Sequence, residues 1–139
     1  MSRYGPTLLR IVLGSIFVMN GYLALFVLQP AGAASLFTVM GLPLGGALAW
    51  YLIVAHVVGG LMMIVGLKTR WAAIINVPVI LIALVRIHVY QGFFMSGVME
   101  AGGGRARAVG LEYPLLVLAA TAALALLGGG AWAMTDDGQ

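Results

Sequence analysis

The sequence contains no cysteine, few charged residues and only two histidines among its 139 residues. Without cysteine there can be no disulfide exchange, no thiolate catalysis and no cysteine-ligated iron–sulfur cluster. Charged residues make up 8% of the chain, whereas a soluble domain carries about 25%. So few charges could not cover a globular surface, and the sequence therefore predicts a protein whose partner is the lipid bilayer.

Long apolar runs take up most of the chain, which is 63% hydrophobic with a mean hydropathy of +1.09. Four runs approach the roughly 20 residues that a helix needs to cross a bilayer. The sequence therefore predicts an all-α fold, in which one membrane domain (1–139) forms a four-transmembrane-helix bundle. The helices are expected at about 7–28, 46–66, 71–91 and 112–129. The first run is longer than the apolar core of a signal peptide, so we interpret it as an uncleaved helix.

The basic residues predict the orientation of this bundle. With four spans, Arg3, Arg10, Lys68 and Arg70 fall on one side of the membrane. Because cytoplasmic loops are enriched in Lys and Arg, both termini are expected to be cytoplasmic, in a multi-pass protein of the cell's inner membrane. The excess of 7 Lys+Arg over 4 Asp+Glu is then explained by orientation and anionic headgroups, and no nucleic acid partner is predicted.

Polar residues inside the apolar runs are the first candidates for function, because each carries a desolvation cost. By depth along its span, every helix contributes one such residue to the outer half of the bundle: Asn20, His56, His88 and Glu112. A metal or haem site is not expected. The two histidines differ in depth by about 10 Å, and no cysteine assists them. His56 is expected to bond to Asn20 or to a backbone carbonyl.

The segment Ile82–Phe94 adds a cation to this set. Arg86 and His88 are about 200° apart around a helix, so they point to nearly opposite faces. We therefore predict that His88 faces inward towards Glu112 and that Arg86 faces outward to a partner subunit or to headgroups. Two alternatives stay open: His88 as a structural hydrogen bond between helices, and Arg86 as a side chain that snorkels to the interface.

Short motifs are spread along the chain: Leu8-Leu9-Arg10, Asn20-Gly21, Gly41-Leu42-Pro43, Gly59-Gly60, His88 with Gly92-Phe93-Phe94, Glu112-Tyr113 and Gly128–Trp132 before Asp136. Together they resemble the motifs of the DoxX family of small four-helix membrane proteins. The resemblance implies a four-helix membrane bundle associated with redox chemistry, since relatives include a small subunit of a thiosulfate:quinone oxidoreductase and a membrane partner of antioxidant proteins. Relatives often have His at position 20, Lys at 24 and Glu at 56, where this chain has Asn20, Ala24 and His56.

Two functions follow as expectations. In the first, the chain is a non-catalytic accessory subunit that packs against a larger membrane oxidoreductase complex, with Arg86 at the contact; the lack of any complete redox centre favours this over a self-contained enzyme. In the alternative, it is a redox-linked subunit whose outer-half cavity admits a quinone, the one cofactor considered. His88 would bond the quinone oxygen, with Glu112 orienting His88 or carrying its proton. That site would comprise His88, Glu112, Tyr113, Gln91, Asn20 and His56.

Overall fold

All regular structure in the described residues is helical, which confirms the predicted all-α class. The computed structural model describes residues 3–94 and 110–135. The elements are α1 (Tyr4–Tyr22) with a π-helical continuation (Leu23–Val27), α2 (Gln29–Val39), α3 (Gly45–Val65), α4 (Thr69–Arg86), a 3₁₀ turn (His88–Gln91) and α5 (Glu112–Leu127).

Three helical segments are long and apolar enough to cross a membrane: Tyr4–Val27, Gly45–Val65 and Thr69–Gln91. They correspond to the first three predicted spans. The fourth predicted span is represented by α5, which is apolar but has only 16 residues. At about 1.5 Å per residue it is about 24 Å long, somewhat shorter than the hydrocarbon core of a bilayer.

The helices α1, α3, α4 and α5 pack in a closed ring. α1 lies against α3, α3 against α4, α4 against α5, and α5 against α1. The interior is filled by buried apolar side chains, among them Phe17, Met63 and Leu124. α2 lies outside this ring against α3 and has its own apolar cluster around Phe37. We call the two ends of the ring the Arg10 end and the His88 end after the residues found there.

Glycines allow α1 and α3 to approach closely in this ring. A Cβ atom on Gly14 would lie 2.6 Å from the Gly60 carbonyl oxygen, and one on Gly60 would lie 2.8 Å from the Gly14 oxygen. The two backbones therefore touch at this crossing, as small residues permit in membrane helices. Gly59 serves the next interface in the same way, since a Cβ there would lie 2.5 Å from the Asn76 amide nitrogen.

Arg10 is buried, with 2% of its surface exposed. At its end of the ring it joins α1 to the end of α3 and to the segment that follows α5. Its guanidinium donates to the Met63 and Ile64 carbonyl oxygens in the last turn of α3. It also donates to Gly129 (2.9 Å) and Trp132 (2.9 Å) in the segment that folds back after α5. The last carbonyls of a helix have no partner within it, so Arg10 caps α3. From the sequence, Arg10 served only to predict the orientation of the bundle, and this enclosed capping role was not predicted.

Candidate functional site

A cavity of about 200 Å³ lies at the His88 end of the ring. Four of the six predicted site residues line it, one each from α1, α3, the 3₁₀ turn and α5: Asn20, His56, His88 and Tyr113. The rest of its wall is apolar and includes Phe17 and Val117. A few polar groups converging in an apolar cavity are the usual composition of a small-molecule site.

His56 projects from the middle of α3 and is 8% exposed. Its Nδ1 atom lies 2.7 Å from Oδ1 of Asn76 on α4, and its ring centre lies 5.1 Å from that of Phe17. The prediction that His56 bonds to Asn20 or to a backbone carbonyl is therefore wrong. The reason is geometric: Gly59 has no side chain, which leaves space for Asn76 between the two helices.

Sequence reasoning did not assign Asn76 to the site, although a signal was present. α3 and α4 are antiparallel neighbours joined by a tight turn at Gly66. His56 stands ten residues before Gly66 and Asn76 ten residues after it. Two residues at equal distance from such a turn lie at the same depth, because both helices rise by the same amount per residue. This symmetry predicts the pair.

Asn20 reaches the cavity from α1. Its Nδ2 atom donates to the Ile16 carbonyl oxygen at 2.8 Å, one turn earlier in the same helix. The helix then changes to the π-helical turn Leu23–Val27. π-Helical turns are rare in proteins, and those that occur are often found at functional sites. The extra residue in the turn shifts the side chains that follow it.

His88 lies beyond the end of α4. The α-helical part of the third span ends at Arg86, and His88 begins the 3₁₀ turn. The predicted span 71–91 corresponds to the helical segment Thr69–Gln91, but regular α-helical geometry ends at Arg86, so the angle of about 200° that separated Arg86 from His88 does not apply. Nevertheless, His88 lines the cavity and Arg86 is exposed. The His88 Nδ1 atom lies 3.1 Å from Oε1 of Gln91.

Glu112 is the first residue of α5 and is half-buried. Its backbone N–H donates to the Phe93 carbonyl oxygen at 3.1 Å, which ties the start of α5 to the residues after the 3₁₀ turn. This contact brings Tyr113 to the cavity. Glu112 and Gln91 are not among the described residues that line the cavity. The predicted pair of His88 and Glu112 stays a prediction.

A second cavity, of about 120 Å³, lies beside the first between the π-helical turn, α2, α3 and α4. Three side chains belong to the walls of both cavities: Leu52, Val79 and Ala83. The lining of the second cavity is apolar, and it includes Ala24 and Phe37. The cavity that contains the four polar residues and the apolar cavity thus share a wall.

Arg86 makes no hydrogen bond or ion pair with the residues that the structure describes. Within the same residues, no group of three His, Asp or Glu side chains could hold a metal ion. The remaining cations of the described chain lie at the Arg10 end: Arg3, Arg10, Lys68 and Arg70.

The comparison with protein families decides what kind of protein carries this cavity. The model of the DoxX family matches residues 5–89, which run from α1 into the 3₁₀ turn and make up more than half of the chain. The chain belongs to the DoxX family. With its apolar helices, this DoxX protein is a small membrane protein. Glu112 and Tyr113 lie outside the matched residues. No curated protein and no solved structure matches the chain significantly.

Proposed function

We propose that this DoxX protein is a membrane subunit that binds a small membrane-soluble molecule of the quinone class in the cavity at the His88 end. The observation that supports it is the convergence of Asn20, His56, His88 and Tyr113 on one cavity in a chain with few polar side chains. The volume of about 200 Å³ suits a single ring, since a cavity of about 150 Å³ holds benzene. The neighbouring apolar cavity suits an alkyl or isoprenoid tail.

In this proposal the ring of helices is a four-transmembrane-helix bundle in the inner membrane. The Arg10 end faces the cytoplasm with both termini, and the His88 end faces outward. Arg3 and Lys68 are exposed at the Arg10 end and Arg70 is half-buried there, which accords with the enrichment of basic residues on the cytoplasmic side. His88 and Tyr113 would bond the oxygens of the ligand, and Glu112, next to Tyr113, would orient His88 or carry its proton.

The orientation is testable with single cysteines, because the chain has none of its own. Lys68→Cys and Tyr90→Cys place a thiol at exposed positions near opposite ends of the ring. With an impermeant thiol reagent on intact cells, we expect Tyr90→Cys to react and Lys68→Cys to react only after the membrane is opened. Reaction of both from the same side would reject the orientation.

The ligand proposal is tested by replacing His88, which lines the cavity without being enclosed. We expect His88→Leu to weaken the binding of a short-tailed quinone to the purified protein in nanodiscs by about tenfold or more, the effect of one lost hydrogen bond. Tyr90→Leu is the matched control, because Tyr90 is 81% exposed in the same 3₁₀ turn. Equal affinity of the two variants, or no binding by the native protein, would contradict the proposal.

Arg86 supports a second function, that of an accessory subunit within a larger membrane oxidoreductase complex. Its guanidinium has five donors and no partner among the described residues, and a carboxylate of a neighbouring subunit would satisfy them better than snorkelling. We expect Arg86→Leu to reduce recovery of the complex in mild detergent while the bundle stays folded, and Lys68→Leu to leave recovery unchanged. An isolated, monodisperse protein that turns over a quinone would rule out the accessory role.

A further inference from the structure

A chain of hydrogen bonds behind the cavity determines which nitrogen of His56 carries a proton. Asn76 is 0% exposed, and its Nδ2 atom lies 2.8 Å from the Ala72 carbonyl oxygen. A carbonyl oxygen only accepts hydrogen bonds, so the atom facing it must be the amide NH₂ group. The orientation of the Asn76 amide is thereby fixed, and its oxygen must be the atom that faces His56.

The orientation of the Asn76 amide in turn fixes the protonation of the His56 ring. The Asn76 oxygen also only accepts, so the His56 Nδ1 atom at 2.7 Å must be the donor. The His56 ring is buried, its partner among the described residues is a neutral amide, and Phe17 packs beside it. Neither of these neighbours compensates a positive charge, so the buried ring is expected to be neutral. In a neutral imidazole with Nδ1 protonated, Nε2 is a bare acceptor.

This bare acceptor belongs to the cavity. His56 lines the cavity, and its Nε2 atom has no hydrogen-bond partner among the described residues and is not sealed off from the open space. Asn20 is less selective. Its Nδ2 atom donates one N–H to the Ile16 carbonyl oxygen, which leaves the amide oxygen available to accept and the second N–H available to donate. The Tyr113 hydroxyl can donate or accept, and no Lys or Arg belongs to the part of the lining that the described residues form.

We propose that the cavity selects a ligand whose polar end donates hydrogen bonds, a hydroxyl of a hydroquinone in preference to the carbonyl of the quinone. Asn76 is the positioning residue that holds His56 as an acceptor. The inference rests on the proposed function and adds the redox form to it. A quinone carbonyl meets the bare acceptor of His56, whereas a hydroxyl can donate a hydrogen bond to it. An unmatched buried polar group weakens binding far more than a matched one strengthens it.

The experiment compares the two forms of one short-tailed compound on the native protein in nanodiscs, with the hydroquinone kept reduced under anaerobic conditions. The quinone and the hydroquinone have the same ring and tail, but only the hydroquinone has hydroxyl groups that can donate hydrogen bonds. We expect the hydroquinone to bind about tenfold more tightly or better, which corresponds to at least one hydrogen bond. Binding of the quinone with equal or greater affinity overturns this inference and leaves the proposed function intact. Binding of neither form overturns both.

Two further measurements isolate Asn76. Asn76→Leu removes the acceptor that fixes the ring, so the preference for the hydroquinone should disappear. Tyr51→Phe is the matched control, since the Tyr51 hydroxyl bonds the Ile75 carbonyl oxygen between the same two helices at 2.6 Å and is not part of the cavity lining. Independently of how well the Asn76 variant folds, ¹⁵N shifts of the native His56 ring should show a protonated Nδ1 and a bare Nε2. The opposite assignment, or a preference that survives Asn76→Leu, overturns the inference.

Discussion

Replacing Arg10 by leucine is expected to cause the largest loss of stability of any single change at the Arg10 end. The substitution removes hydrogen bonds to Met63 and Ile64 in α3 and to Gly129 and Trp132 after α5. The bonds to Gly129 and Met63 are buried, and those to Ile64 and Trp132 are partly buried. A buried carbonyl left without a donor costs about 1–3 kcal/mol, so we expect a total loss of about 3 kcal/mol or more. The measurement is the unfolding free energy in mixed micelles of a mild detergent and dodecyl sulfate.

Two variants separate the role of Arg10 from its charge. Arg10→Lys keeps the charge, but an ammonium is a compact group and cannot replace a planar guanidinium that bonds several carbonyls. We expect it to lose an intermediate amount of stability. Arg86→Leu removes an exposed arginine and should change the unfolding free energy of the isolated protein by less than about 0.5 kcal/mol. If Arg10→Leu were as mild as Arg86→Leu, the capping role of Arg10 would be refuted.

Replacing Gly60 by valine should separate α1 from α3. A Cβ atom at this position would lie 2.8 Å from the Gly14 oxygen and 2.9 Å from the Val18 backbone nitrogen. Both are backbone atoms, so the clash cannot be relieved by a side-chain rotation and the helices must move apart. We expect a destabilisation on the order of 3 kcal/mol and a smaller effect for alanine, measured in the same mixed micelles.

The matched control is Gly46→Ala, also in α3, where an added Cβ would meet nothing within 4 Å. It should stay within about 0.5 kcal/mol of the native protein. Gly14→Ala tests the other side of the Gly60 contact. Because both substitutions open the same crossing, their effects in the double variant should be less than additive. Full additivity would indicate that the two glycines do not share a contact.

The helices and most of the cavity were predictable because both follow from properties that sequence carries directly. Apolar run length placed the helical segments within a few residues of their observed ends, with the third span divided at Arg86. Depth along each run brought Asn20, His56 and His88 to one cavity. Depth is robust because it depends only on a rise of about 1.5 Å per residue.

What could not be predicted depends on contacts between segments far apart in the chain. The sequence suggested that Arg10 is a surface cation, because nothing near it in the sequence indicates that residues 129–132 fold back and bond to it. The end of α4 at Arg86 was missed for a related reason. Contacts of Gly92 and Phe93 with residues 111 and 112 hold the chain in another path there, and they join segments separated by the third connection.

The structure explains the effect of one residue, Ala24, at which the chain departs from the family pattern. Relatives often have a lysine where this chain has Ala24, as the resemblance implies. Ala24 is 4% exposed and lines the apolar cavity beside the π-helical turn. A lysine side chain there would fill this space and bring a charge to it. The small residue therefore keeps the second cavity apolar, which accords with a ligand that has a tail.

The enclosure of Arg10 also imposes an order on the biogenesis of the protein. The ribosome makes Arg10 119 residues before Gly129, one of its acceptors. Until that segment is synthesised, a newly inserted first helix carries a guanidinium that only water, headgroups or the α3 carbonyls can solvate. Translation must therefore run nearly to the end of the described chain before the first helix reaches its native environment, and nascent chains truncated before residue 129 should be preferred substrates for membrane proteases.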